Sequence, residues 1–208
     1  MVRQSLTPRE PHEREPDGQD SELRVLETPR QPRAALIDMS APVVQASLHV
    51  RWAEFASFRS DLADAGRKLL YQYGVGLAFL ATSRADGGPR VHPMCPLLTE
   101  EELYAFIVPS PKRFDLRRDG RYALHSFPSD DNEDAFYITG RAARVLDEMT
   151  EASLANQFAA ERHLSEPPAD LSTWQLYAFD IETCLLTQTT GHGDPKPRHT
   201  FWRPTASR

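Results

Sequence analysis

The sequence is short of cysteine, glycine, excess basic charge and long apolar runs, and each shortage excludes something. Two cysteines, Cys95 and Cys184, make neither a disulfide framework nor a four-ligand zinc site, and they fit a reducing compartment. Seven histidines include no i,i+4 pair and no His-x-His, so no metal site is expected. Lys and Arg number 24 against 30 Asp and Glu, a net charge of −6. That balance argues against electrostatic binding of nucleic acid or of an anionic membrane surface, while leaving room for a local anion site. The longest apolar run, Gly76 to Ala81 with Val75 before it, falls far short of the ~20 residues that span a bilayer. No apolar stretch follows the N-terminal charges, so no signal peptide is expected and the cytoplasm is the default location. Ten glycines stand against 17 prolines. Mean hydropathy is −0.53 although 40% of the residues are hydrophobic, so part of the chain does not form core.

That part is the N-terminus. All 10 Phe, 6 Tyr and 3 Trp fall from Trp52 onward. Residues 1–38 hold prolines at 8, 11, 16, 29 and 32, with six Arg and eight Asp or Glu. Such a segment buries too little apolar surface to offset the entropy of ordering it. Residues 1–47 therefore read as a disordered tail, and 48–208 as a single domain; a second reading takes Met39 as the true start.

From Trp52 the pattern is regular. Phe55, Phe58, Leu62, Ala65, Leu69 and Tyr73 recur at steps of three and four, which predicts one helix ending at Gly74. Val75–Thr82 and Arg90–Leu98 read as strands joined by the turn Ala85-Asp86-Gly87-Gly88-Pro89. Leu103–Val108 reads as a third strand, and Pro111–Asp119 as a short helix stopped by Gly120. Tyr122–Phe127 and Ala135–Leu146 are two more strands, separated by an acidic loop. A helix with Thr150 as its N-cap and a last strand, Trp174–Thr187, complete the pattern, and everything from Pro195 reads as irregular. Gly74-Val75-Gly76 opens like a dinucleotide fingerprint, but Phe79 stands where a third glycine belongs and the glycines precede the strand. The expectation is a mainly β (α+β) fold, a six-stranded antiparallel barrel with flanking helices.

Two segments carry chemistry. In Ser110-Pro111-Lys112-Arg113, Ser110 suits an N-cap and Pro111 the first helical position. Lys112 and Arg113 then occupy the turn where the helix dipole is positive and acids are preferred. A phosphate there meets free backbone N–H groups, a hydroxyl and two cations; the plainer alternative is two side chains in water, offset by Asp115. In Arg90-Val91-His92-Pro93-Met94, strand geometry puts Arg90, His92 and Met94 on one face and Val91 and Pro93 on the other. Pro93 and Pro96 lack an N–H, so the ladder is incomplete and backbone groups are left to bond a flat heterocycle. An ordinary edge strand is the alternative. No nucleophile elbow or kinase signature is present, and no catalytic residue is nominated.

Order and spacing together resemble the FMN-binding split barrel of the pyridoxamine 5′-phosphate oxidase-like family, from about Phe55 to Thr187. The resemblance implies a homodimer with FMN at the interface and an oxidoreductase acting on a small-molecule substrate. It implies that Arg90, Val91, His92, Pro93 and Met94 border the ribityl chain and ring, and that Ser110, Lys112 and Arg113 hold the FMN phosphate. The substrate-gripping Arg and His set of the true oxidase is missing. Two alternatives keep the fold. The deazaflavin F420 needs further cations for its acidic tail, for which Arg117 and Arg118 are candidates; a non-catalytic flavin- or haem-binding protein has His92 as its axial-ligand candidate.

Overall fold

The computed structural model describes residues 48–205, so the tail expected over 1–47 lies outside the described residues. Four helices flank one curled antiparallel sheet of eight strands, a half-barrel. The mainly β antiparallel architecture is as expected, with eight strands where six were expected. In chain order the elements are α1 (Trp52–Phe58), α2 (Ser60–Leu70), β1 (Ala78–Ser83), β2 (Pro89–Met94), β3 (Leu97–Leu98), β4 (Leu103–Ile107), α3 (Pro111–Arg118), β5 (Arg121–Ser126), β6 (Ala135–Arg144), α4 (Glu148–Glu161), β7 (Gln175–Gln188) and β8 (Arg198–Trp202). A 3₁₀ turn, Leu171–Thr173, precedes β7.

The sheet runs β2-β1-β5-β6-β7-β4-β3, and β8 also pairs with β7. One edge of β7 is covered by β6, with a register irregularity at Thr139/Gly140. Its other edge is shared. Gln175–Ala178 pair with β4, Ile181 forms a bridge with Val50, and Cys184–Gln188 pair with β8. At the far end of the sheet, β2 pairs only with β1 among the described residues, none of which forms a strand on its outer edge.

The differences from the sequence reading have local causes. The helix expected through Tyr73 breaks at Arg59, whose φ and ψ of −144° and 69° are not helical. Ser60-Asp61 starts a new helix, with an acid in its first turn. The break leaves Phe58 exposed, while Leu62, Ala63, Gly66 and Leu70 of α2 face the core. The strand expected over Arg90–Leu98 is two strands, β2 and β3, parted at Cys95-Pro96, where Pro96 has no N–H for a ladder. Asp147, not Thr150, caps α4: its side chain accepts from the Thr150 N–H. The segment after Pro195 is not irregular throughout, because Arg198–Trp202 follows its prolines as β8. Trp202 brings its ring to 4.9 Å from that of Phe55, closing the core beside α1.

The core packs α1 and α2 against the sheet, around Trp52, Phe55, Leu62, Leu80, Leu124, Phe136, Ile138 and Phe179. Gly66 is where α2 meets β6, since a Cβ there lies 2.6 Å from the Phe136 ring. A smaller cluster under α4 joins Leu154 and Phe158 to Leu97, Phe106 and Leu176. No helix among the described residues is long and apolar enough to cross a membrane.

Candidate functional site

The site is built where the N-terminus of α3 meets the edge strand β2. Ser110 is the N-cap in an extended conformation, and Pro111 takes the first helical position. The Ser110 hydroxyl donates 2.9 Å to the Val108 carbonyl and makes no cap hydrogen bond. The helix start thus has no acid in its first turn and no side-chain cap. The backbone N–H of Lys112, at the second helical position, has no carbonyl of its own helix to reach.

Lys112 is half-buried, and its ammonium donates 3.2 Å to the Pro93 carbonyl of β2. Burial pulls its pKa below the usual 10.5, a loss of hydration that the nearby Cys95 sulfur offsets only in part. Arg113 turns the other way and donates from Nη1 to the Thr173 carbonyl at 3.0 Å. The two cations of the first turn therefore brace two different segments.

Along β2, Arg90 is half-buried, Met94 is in the core, and Val91, His92 and Pro93 are exposed. The structure brings Arg90 to Asp115 and the Pro93 carbonyl to Lys112, so both residues of β2 meet α3, while Met94 is buried in the main core. Ser110 and Arg113 sit at the same helix end, with their side chains engaged elsewhere. His92, the axial-ligand candidate, stands exposed.

In the plainer alternative Asp115 offsets Lys112 and Arg113; in the structure its hydrogen bonds go to other residues. Its carboxylate is buried and accepts from Arg90 Nε at 2.8 Å and Thr82 Oγ1 at 3.0 Å on one oxygen. The other oxygen accepts from Arg118 Nη1 at 3.3 Å. Burial pushes this carboxyl up, but the hydrogen bonds from Arg90, Thr82 and Arg118 outweigh it and hold the pKa below the ordinary value. Arg118 also donates to the Ser83 carbonyl, and the Arg117 guanidinium lies 6.0 Å from the centre of the Phe114 ring. The two cations reserved for an acidic tail are therefore partly engaged.

Beside this cluster runs an open groove of about 400 Å³, lined by Arg84, Arg90, Pro111, Phe114, Asp115 and Arg118 among others. Sequence reading did not find it. The signals were present in part, as an Asp115/Arg118 pair at i,i+3 and a turn opening with Arg84-x-Asp86. What periodicity cannot supply is the pairing of β2 with α3. Phe114 is 60% exposed in this groove, a flat apolar ring beside guanidinium groups. Among the described residues, no group of three or more His, Cys, Asp or Glu could hold a metal ion. Cys184 is buried, and burial pushes its thiol up to about 12.

The donor set fits an oxyanion on chemical grounds. A half-buried ammonium without a carboxylate partner, an uncapped helix start and a neighbouring guanidinium are what a phosphate group takes.

No family model matches the chain, and no curated protein does. Solved structures do match. An F420 reductase is 21% identical, over 55% of this chain and 91% of that one, with a TM-score of 0.46. A protein related to general stress protein 26, of the pyridoxinephosphate oxidase family, from Clostridium acetobutylicum is 11% identical, over 73% and 95%, with a TM-score of 0.46. A heme binding protein from Mycobacterium smegmatis is 15% identical, over 65% of this chain and 57% of that one, with a TM-score of 0.47. At these identities and scores no activity, ligand or partner passes from those proteins to this chain.

Proposed function

We propose that this chain is an FMN-binding flavoprotein of the pyridoxamine 5′-phosphate oxidase-like split-barrel class, acting as an oxidoreductase on a small organic substrate. It works as a homodimer with the flavin at the subunit interface. The observation that carries this reading is Lys112, a desolvated cation at an uncapped helix start that donates to the Pro93 carbonyl and has no carboxylate partner among the described residues. A phosphate completes that arrangement; Arg113 adds a second positive charge and the Lys112 N–H a neutral donor. The outer edge of β2, Arg90 to Met94, offers backbone groups to the rim of a flat ring. When bound, the flavin supplies the redox chemistry, and the protein supplies binding, orientation and local charge.

The test is the pair Lys112→Ala and Arg113→Ala in one chain, titrated with FMN and with riboflavin, which lacks the phosphate. Losing the charge-assisted hydrogen bond of Lys112 together with the nearby charge of Arg113 costs about 3 kcal/mol, a loss of about 100-fold in FMN affinity. Riboflavin affinity stays within a factor of about two. Unchanged FMN affinity removes the phosphate assignment.

A second reading keeps the fold and takes F420 as the cofactor. The observation favouring it is the arginine-lined groove next to Pro111, which has room for a longer anionic tail. Titrating the protein with FMN and F420 side by side separates the two.

A further inference from the structure

Among the described residues, Asp115 is the one charged residue that is buried, with a side chain 5% exposed. A carboxylate in that position is costly unless its oxygens are satisfied. Here three donors from three elements do so: Thr82 of β1, Arg90 of β2 and Arg118 of α3 itself. Asp115 thereby ties the hairpin to the helix that begins at Pro111.

The manner of the contact matters more than its existence. Asp115 takes Arg90 by its Nε edge, at 2.8 Å. The Nη1 and Nη2 groups of Arg90 have no hydrogen-bond partner among the described residues, and its side chain is 27% exposed. Arg90 lines the same groove as Pro111, the residue next to Lys112. An arginine gripped at Nε presents its two remaining nitrogens as a planar fork, the geometry that meets two oxygens of a carboxylate or phosphate. A free arginine on an edge strand has many rotamers, and binding an anion has to freeze them. One already held by a buried partner loses little on binding.

We propose that Asp115 is a positioning residue, which holds Arg90 by its Nε so that the Nη1/Nη2 fork is aimed at the cofactor's phosphate, a third cation beside Lys112 and Arg113. This rests on the flavin reading above and adds a residue that need not touch the cofactor. It also fixes a sign. Removing a carboxylate makes the site more positive, which by charge alone tightens an anion, most strongly at low salt. Loss of aim weakens it instead.

The experiment titrates FMN and riboflavin into the wild type, Asp115→Ala, Arg90→Ala and the double variant, at low and moderate salt. Asp115→Ala is expected to weaken FMN at least about tenfold, with riboflavin within a factor of about two. In the Arg90→Ala background the same substitution costs nothing further, since there is no fork left to aim. Asp115→Asn keeps the volume and one acceptor oxygen, so it folds if the alanine variant does not, and it loses FMN affinity by about threefold on the same logic. Tighter FMN binding by the Asp115 variants, equal losses for both ligands, or an undiminished loss without Arg90 each overturn the proposal. Its failure is separable from that of the flavin reading. If Lys112→Ala with Arg113→Ala loses FMN while the Asp115 variants do not, only the positioning role falls. If that double variant binds FMN as the wild type does, the cofactor assignment falls with it.

Discussion

Arg90 and Asp115 meet at 2.8 Å, the second residue of an edge strand with the fifth residue of a helix 25 positions along the chain. With the Lys112 contact to the Pro93 carbonyl, that pair joins the two elements of the candidate site. Because the carboxylate is buried while the guanidinium is part-exposed, the pair is asymmetric. The aspartate is fixed, and the arginine has nitrogens to spare.

The pair makes stability depend on pH in a defined direction. The folded-state pKa of Asp115 is lowered by its three donors, so its stabilisation is complete above the unfolded value of about 3.9. It is lost as pH falls through the folded value. Asp115→Asn is therefore expected to lower the melting temperature by about 5 °C at pH 7, with the difference from wild type shrinking as pH falls below about 4. Paired melts across that range check it; a gap that widens in acid contradicts the assignment.

Lys112 predicts a second pH dependence, at the alkaline end. Its pKa in the free protein lies below 10.5 because the ammonium is desolvated. An anion stabilises the charged form, so FMN affinity is expected to fall as pH rises through that lowered value. Lys112→Met should bind weakly at all pH values and lack that alkaline fall. An unaltered pH profile in the variant contradicts the contact.

Much of the order of elements was legible in the sequence, and the reasons are local. Apolar alternation and the Asp86-Gly87 turn mark β1 and β2, and Ser110-Pro111 with Gly120 brackets α3, where Gly120 adopts φ +75°. Lys112 stood out because two cations in a first helical turn oppose the dipole. What was not legible depends on long-range contact. Prolines 195 and 197 hid β8, which exists because β7 has an edge left to cover beyond β4. The stripe from Phe55 to Tyr73 ran through the break at Arg59, since both halves carry the same period. Asp115 read as a local counter-charge to its neighbours in sequence; only the fold shows that Arg90 reaches it first.

The packing of α2 on the sheet has its own test. A methyl group at Gly66 lies 2.6 Å from the buried Phe136 ring, which is itself packed against Trp52 and Phe55. Helix propensity alone favours alanine over glycine by about 1 kcal/mol. Gly66→Ala is nevertheless expected to destabilise by about 1–2 kcal/mol, because the fully buried ring has to shift against its packed neighbours. Gly66→Ala combined with Phe136→Leu should recover part of that loss in a denaturant titration. A stabilised single variant contradicts the close approach.

The central claim is that this fold holds FMN by its phosphate at the start of α3. The most direct measurement is the visible absorbance spectrum of the purified protein, before and after adding FMN, with any released ligand identified by mass. The account predicts a two-band flavin spectrum, either as purified or on addition, and FMN as the released species. A single deazaflavin band moves the assignment to F420, and a Soret band to haem. A colourless protein that does not take up FMN contradicts the account, and leaves Lys112 and Arg113 as structural braces between α3, β2 and the turn before β7.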